Sequence, residues 1–348
     1  MIFLVPHHHR AALGVLALAF LAGCNAEQML GKTPAQPASS GAHALVSSPA
    51  AASAALPAPL ALLANGSLSV GEARSCAIGG DGRVACWGMI PSDALPRPTS
   101  LSSVSVVASG MWHDCALYGK PARLSCWGLD DEGQVSGAPA GIKDVKAVAA
   151  GYTHGCALTE DSEVLCWGAA DKPWSKNGPD GTGDGPYRAK AIAAGRWHTC
   201  AINLSGRVDC WGDDRFGQRS GAAGIIEAKA LAAGEILSCV IAGADNHVKC
   251  WGATSFGADA IPQPPGLRAK AIAVGAWQAC AINEADDVLC WGSREFGAID
   301  MPAGLKARQI AVGALQACAT TFDDKVRCWP EKIDSFELGA RSDEVKAP

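Results

Sequence analysis

Hydrophobic and polar positions divide the chain into three stretches of different character. Residues 11–23 form an unbroken apolar run of 13 residues. A helix needs about 20 such residues to cross a bilayer, so this run is too short to span one. From Asn25 to about Asn65 alanine, proline and serine dominate, with neither helical nor alternating periodicity. That composition predicts a disordered, partly extended spacer, reaching roughly 35 Å as a coil. Beyond it, short runs of small and apolar residues recur, broken by glycine. In residues 191–211 the pattern predicts three strands, at 191–194, 199–203 and 207–211. Gly195 breaks the first strand, where close backbone approach or positive φ is available to it. Arg196, Trp197 and His198 make the turn, and Leu204, Ser205 and Gly206 reverse the chain.

With side chains alternating along each strand, Cys200, Ile202, Val208 and Cys210 share one face, and Ala201 and Trp211 take the other. Both faces are largely apolar, as expected of a sheet packed between two neighbours. Cys200 and Cys210 fall opposite one another across the hairpin, where Cα atoms are about 4.5–5.5 Å apart and a disulfide is feasible. The same arrangement repeats seven times: Cys76 with Cys86, Cys115 with Cys126, Cys156 with Cys166, Cys200 with Cys210, Cys239 with Cys250, Cys280 with Cys290, and Cys318 with Cys328. First cysteines recur every 38 to 44 residues, each second cysteine is followed by tryptophan, and a glycine stands five residues before each first cysteine. A period near 40 is that of propeller blades. The expected fold is all-β, a seven-bladed propeller of three- to four-stranded blades with one disulfide inside each hairpin. Bridges between adjacent blades are the alternative. Zinc is disfavoured, since its knuckles place ligands two to four residues apart.

Composition sharpens the picture at three points. Tryptophan outnumbers tyrosine by 11 to 3, which the Cys-Trp repeat accounts for. A net charge of −5 disfavours a nucleic-acid binder that relies on a basic surface. The 15 cysteines require an oxidising compartment, and seven pairs leave Cys24 over. Leu21, Ala22, Gly23 and Cys24 follow the apolar run in the order of a bacterial lipobox. Residues 1–23 therefore read as a lipoprotein signal peptide, His7, His8 and His9 included, with Cys24 as the lipidated residue of the mature protein. Residues 24–66 are the tether, 67–330 the propeller and 331–348 a tail. Asn25, rather than aspartate, after the lipidated cysteine favours the outer membrane, with a periplasmic or surface-exposed domain.

The unit Gly, two variable residues, His, one residue, Cys, hairpin and Cys-Trp-Gly resembles the regulator of chromosome condensation repeat. The match is clearest at 110–128, 151–168 and 195–212, with His113, His154 and His198 in the histidine slot. Segments similar to the family's Asn-x-x-Gly-Gln follow at 130–134 and 214–218, decaying to Phe256-Gly257 and Phe296-Gly297. The resemblance spans about residues 67–330 and implies seven blades. The slot holds Arg74, Leu237, Gln278 and Gln316 elsewhere, so seven identical ligands are excluded. Nucleotide exchange on a nuclear GTPase is not implied for an exported chain. A secreted bacterial propeller that inhibits β-lactamases is similar in compartment and in its short repeats.

The two variable residues of each unit fall in the turn between first and second strands, so all seven turns are expected on one rim. Met111, Trp112, Tyr152, Arg196, Trp197 and Trp277 there are residue types that dominate protein-interface hot spots. The bland alternative folds these rings inward over the blade ends. The expected function is a membrane-anchored binding scaffold, inhibitory or regulatory towards an envelope or extracellular protein. A carbohydrate or cell-wall binding module is the alternative, and a hydrolase or lyase working from the channel ranks below it. No convergent acid, base or nucleophile marks an enzyme. No cofactor or metal is expected, since the loop at 177–185 lacks the calcium series Asp-x-Asp-x-Asp-Gly and its bidentate glutamate. A monomer is expected.

Overall fold

The computed structural model of the protein describes residues 68–72, 74–88, 94–170, 172–180, 186–253, 262–294 and 299–330. The leader, Cys24, the tether, the tail from 331, Ala73 and the remnants at 256–257 and 296–297 lie outside the described residues, as do residues 181–185 of the loop at 177–185.

Seven antiparallel sheets follow one another along the chain, each made of three consecutive strands. We number them blades 1 to 7, at 68–88, 104–128, 145–167, 189–212, 228–252, 271–292 and 309–329. In blade 4 the strands are Ala189–Ala194, His198–Asn203 and Val208–Gly212. The first begins two residues earlier than the alternation predicts, because a bulge between Ala189 and Ala191 shifts the register. Cys200 pairs with Cys210 across the hairpin. All seven blades share this register, and all seven disulfides lie within hairpins, with Cα atoms 4.0–4.1 Å apart.

Alternation gives each blade two unlike faces, and neighbouring blades bring unlike faces together. The disulfide face of one blade meets the tryptophan face of the next: Cys115 and Leu117 of blade 2 pack with Trp167 of blade 3. Cys200, Val208 and Cys210 of blade 4 pack with Trp251 of blade 5. Burial of each such indole and its aliphatic neighbours contributes about 1.5–3 kcal/mol per side chain. Indole Nε1 also finds an acceptor in the loop arriving from the preceding blade. Trp167 donates to the Gln134 carbonyl at 2.9 Å and Trp251 to that of Gln218 at 2.8 Å. This gives the two Gly-Gln segments a structural purpose. Their buried Gln134 and Gln218 side chains turn back onto their own loops, accepting from the Glu132 and Phe216 N–H groups.

The ring closes by the same contact. Val70 of blade 1 packs with Ala311 and Cys318 of blade 7, against half-buried Trp87. Among the described residues no strand is exchanged between the first and last blades.

The glycine before each first cysteine sets the distance between blades. A Cβ on Gly71 would lie 2.0 Å from the Gly110 carbonyl oxygen, one on Gly234 1.8 Å from that of Gly275, and one on Gly313 1.9 Å from that of Gly71. The relation runs through all seven, each glycine against the next. No other residue fits such an approach. The glycine after each motif tryptophan has a different reason: at Gly88, Gly128, Gly168, Gly212, Gly252 and Gly292 φ lies between 79° and 115°.

In blades 1, 3, 4, 5 and 7 the histidine-slot residue reaches the residue following the slot in the next blade, and the pairs differ. Arg74 Nη2 lies 2.7 Å from Asp114 Oδ2, both buried. His154 Nε2 lies 2.9 Å from Thr199 Oγ1, and His198 Nε2 2.7 Å from Ser238 Oγ. Apolar Leu237 packs with Ala279. Gln278 donates to the Gly313 and Ala314 carbonyls, and Ser75 of blade 1 donates to Gln316 of blade 7. At the remaining boundary the position is Gly155, where a Cβ would strike Trp167 at 2.4 Å, and neither ring nitrogen of His113 has a hydrogen-bond partner.

Two stability measurements test this account. Gly234→Ala should lower stability by about 3 kcal/mol, read from the denaturant midpoint with disulfides intact. Arg74→Met should cost about 3–5 kcal/mol by stranding a buried carboxylate, and adding Asp114→Leu should recover most of that loss. A double variant no more stable than the single would contradict the pairing.

Candidate functional site

The turn between first and second strands is fixed at both ends. In all seven blades the glycine N–H donates to the carbonyl of the slot residue three positions on, at 2.7–2.8 Å. Among the described residues, the residue after Cys-Trp-Gly donates to the carbonyl of the second variable residue in four blades, Leu129 to Trp112, Asp213 to Trp197, Ala253 to Ile236 and Ser293 to Trp277. Between blades, the N–H groups of Met111, Arg196 and Glu235 donate to the next blade's ring glycine. Rim side chains therefore stand on a rigid backbone.

The two variable positions diverge in space. The first lines a cavity on the ring axis, of about 110 Å³, walled by Glu72, Met111, Tyr152, Arg196, Glu235, Ala276 and Ala314 and floored by the seven glycines. This is well below the roughly 300–1,000 Å³ of ordinary ligand pockets. The second position stands away from that cavity and carries Trp112, Trp197 and Trp277. The six predicted rim residues thus belong to two groups, with Met111, Tyr152 and Arg196 axial and the tryptophans outside them.

Three of the six come into contact. The Arg196 guanidinium carbon lies 4.6 Å from the Tyr152 ring centroid and 4.3 Å from that of Trp197, and the two rings are 6.0 Å apart. Arg215 reaches Trp197 at 4.9 Å. Arg196 Nη1 forms an ion pair with Glu235 of the next blade. Trp112, Tyr152 and Trp197 are half-buried, while Trp277 is 37% exposed. The inward-folding alternative and the open-rim expectation therefore each describe part of the ring. Phe216, 48% exposed in the loop beside Arg215, was not singled out from sequence. Its signal was available as the aromatic residue inside the Asp214 to Gln218 motif. Glu72 and Glu235 were also passed over as site residues, although both occupy the first variable position.

Burial pushes the Glu72 carboxyl above its ordinary range, with the Arg196 charge opposing the rise. The slot histidines are interior groups rather than ligands at the rim. Burial holds His113 near pKa 4, His154 near 3 and His198 near 4. Cys76, Cys86 and Asp114 cluster closely enough for a metal, but the two sulfurs are bonded to each other and offer no thiolate.

A closed ring of seven repeats, with its variable positions gathered at one mouth, is the architecture of a repeat β-propeller. Residues 145–171 and 189–218 match the model of the regulator of chromosome condensation (RCC1) repeat. Two of the seven units thus match that repeat, and the fold is an RCC1-like seven-bladed propeller. It is similar to the ectodomain of the receptor kinase CR4 of Physcomitrella patens, at 21% identity and TM-score 0.59, over 76% of this chain and 72% of that one. It is similar to the ectodomain of the receptor kinase ACR4 of Arabidopsis thaliana, at 25% identity and TM-score 0.53, over 76% and 96%. Prp20p of Saccharomyces cerevisiae is 17% identical, with TM-score 0.53, over 67% and 73%. Seven disulfides place this propeller outside a reducing cytoplasm.

Acid stability follows from the histidines. Their folded pKa values lie below the unfolded value near 6.5, so between about pH 6.5 and 4 the unfolded chain binds protons that the folded chain does not. Stability should accordingly fall as pH drops through that window. Thermal melts at pH 7 and pH 5 should show this loss, and His154→Gln should make it smaller. An unchanged pH slope in that variant would remove His154 from the account.

Proposed function

We propose that this protein is a lipid-anchored scaffold of the bacterial cell envelope that binds, and thereby inhibits or regulates, an envelope or extracellular protein through its propeller rim. One observation carries the reading: Trp112, Trp197 and Trp277 are held at one mouth on hydrogen-bonded turns, around a cavity too narrow for an ordinary substrate. Tryptophan, tyrosine and arginine on a pre-organised backbone are what interface hot spots use, because little ordering entropy remains to be lost on binding. The solved relatives agree in kind. Two are receptor-kinase ectodomains, and Prp20p is described by its binding to Gsp1p and histones. Stacking on a sugar fits less well, since Trp197 already carries two guanidinium groups against its ring.

Replacing Trp112, Trp197 and Trp277 together by alanine should abolish capture of a defined partner from envelope extract while moving the melting temperature by only a few degrees. Collapse of the fold would instead assign the three rings to packing. For the anchor, Cys24→Ser should move the protein from the detergent-rich to the aqueous phase in a detergent partition. Retention in the detergent phase would discard the lipid attachment.

A further inference from the structure

The axial cavity is chemically lopsided. Five consecutive blades contribute long side chains at the first variable position, and blades 6 and 7 contribute Ala276 and Ala314. Space therefore remains beside blade 1, whose residue there is Glu72. Three charges line the cavity, and two of them satisfy each other: Arg196 pairs with Glu235 and lies against Tyr152 and Trp197. Glu72 has no ion pair or hydrogen bond among the described residues. It feels only the more distant field of Arg196, and its burial disfavours the charge it carries. Its neighbour on blade 2 is Met111, an apolar and adaptable side chain.

We propose that this cavity is a binding site for one cationic side chain, a lysine or an arginine, projecting from the protein held on the rim. The inference rests on the rim-binding reading. The carboxylate of Glu72 supplies the counter-charge, Met111 packs along the methylene stem, and the alanines of blades 6 and 7 leave the room. A volume of about 110 Å³ admits the end of a side chain and not a folded ligand. The Arg196 and Glu235 pair shows how the same cavity accommodates a guanidinium between a carboxylate and aromatic rings. A side chain anchored there would fix the register of the partner over the outer tryptophans, since it enters on the ring axis while they stand around it.

The test titrates the full chain with N-acetyl-lysine methylamide, its uncharged isostere N-acetyl-norleucine methylamide, and n-butylammonium. The lysine probe should bind at least about tenfold more tightly than the norleucine probe, a difference of about 1.4 kcal/mol. Glu72→Gln should erase that preference, and Glu72→Asp should keep part of it. Because Glu72 has no partner among the described residues, Glu72→Gln should melt at or above the temperature of the unaltered protein. Equal affinity for lysine and norleucine, or an unchanged preference in Glu72→Gln, overturns the site. Butylammonium reproduces the lysine side chain alone and should bind about as tightly as the lysine probe; failure of both cations to bind overturns the site. The two readings separate cleanly. Partner capture without lysine preference removes the axial site alone. Lysine preference in a protein whose rim captures nothing removes the rim reading, and with it the assignment of the cation to a partner.

Discussion

Seven backbone carbonyls, each pressed against the Cα of the preceding blade's glycine, define the inner circumference of this propeller. With 1.8 to 2.6 Å between a hypothetical Cβ and the oxygen it would meet, no blade can retreat from its neighbour without enlarging the ring. Every other feature takes its position from that spacing. The small residues that dominate the first strands bring the sheets close, and the disulfide face of each blade then reaches the indole of the next. The rim turns begin at the same glycines, so their side chains converge on the axis at a fixed radius. A wider ring would separate Arg196 from Glu235 on one side and from the Tyr152 ring on the other.

Covalent and non-covalent restraints divide the work along different directions. Each disulfide closes a hairpin of only 10 or 11 residues and so stiffens a blade radially. On the loop-entropy model it contributes roughly 2–3 kcal/mol. None joins one blade to another. Cohesion around the circle comes from the apolar cores, the glycine contacts and the slot pairs. The slot pairs resemble one another only in place: an ion pair, two imidazole–hydroxyl contacts, a leucine on an alanine and two carboxamide contacts. His113 stands apart, with both nitrogens buried and Trp167 occupying the space where a partner side chain would stand.

Much of this architecture is legible in the sequence because the repeat is read seven times over. One Cys-Trp step says little, but seven with a constant glycine five residues before the first cysteine fix strand order, hairpin register and disulfide pairing together. The rim turns were located for the same reason. Which of the two variable residues points to the axis was not legible, since both occupy one turn and differ only in backbone direction. Met111, Tyr152 and Arg196 were therefore grouped with the tryptophans, and Glu72 and Glu235 passed unremarked. The slot pairs were hidden for a second reason: the partners belong to different repeats, about 40 residues apart or, where the ring closes, 241, so aligning the units sets them in separate columns.

That out-of-phase pairing bears on how such a gene can change. Unequal recombination between near-identical repeats readily deletes or duplicates a unit, and in this chain it would juxtapose groups that do not suit each other. Loss of blade 2 would set Arg74 against Gly155 and bury a guanidinium beside hydrogen, and loss of blade 5 would face His198 with Ala279. A copying error in units that are interchangeable by backbone is thus penalised by side-chain mismatch at the new joint. Blade number and blade order are inherited together.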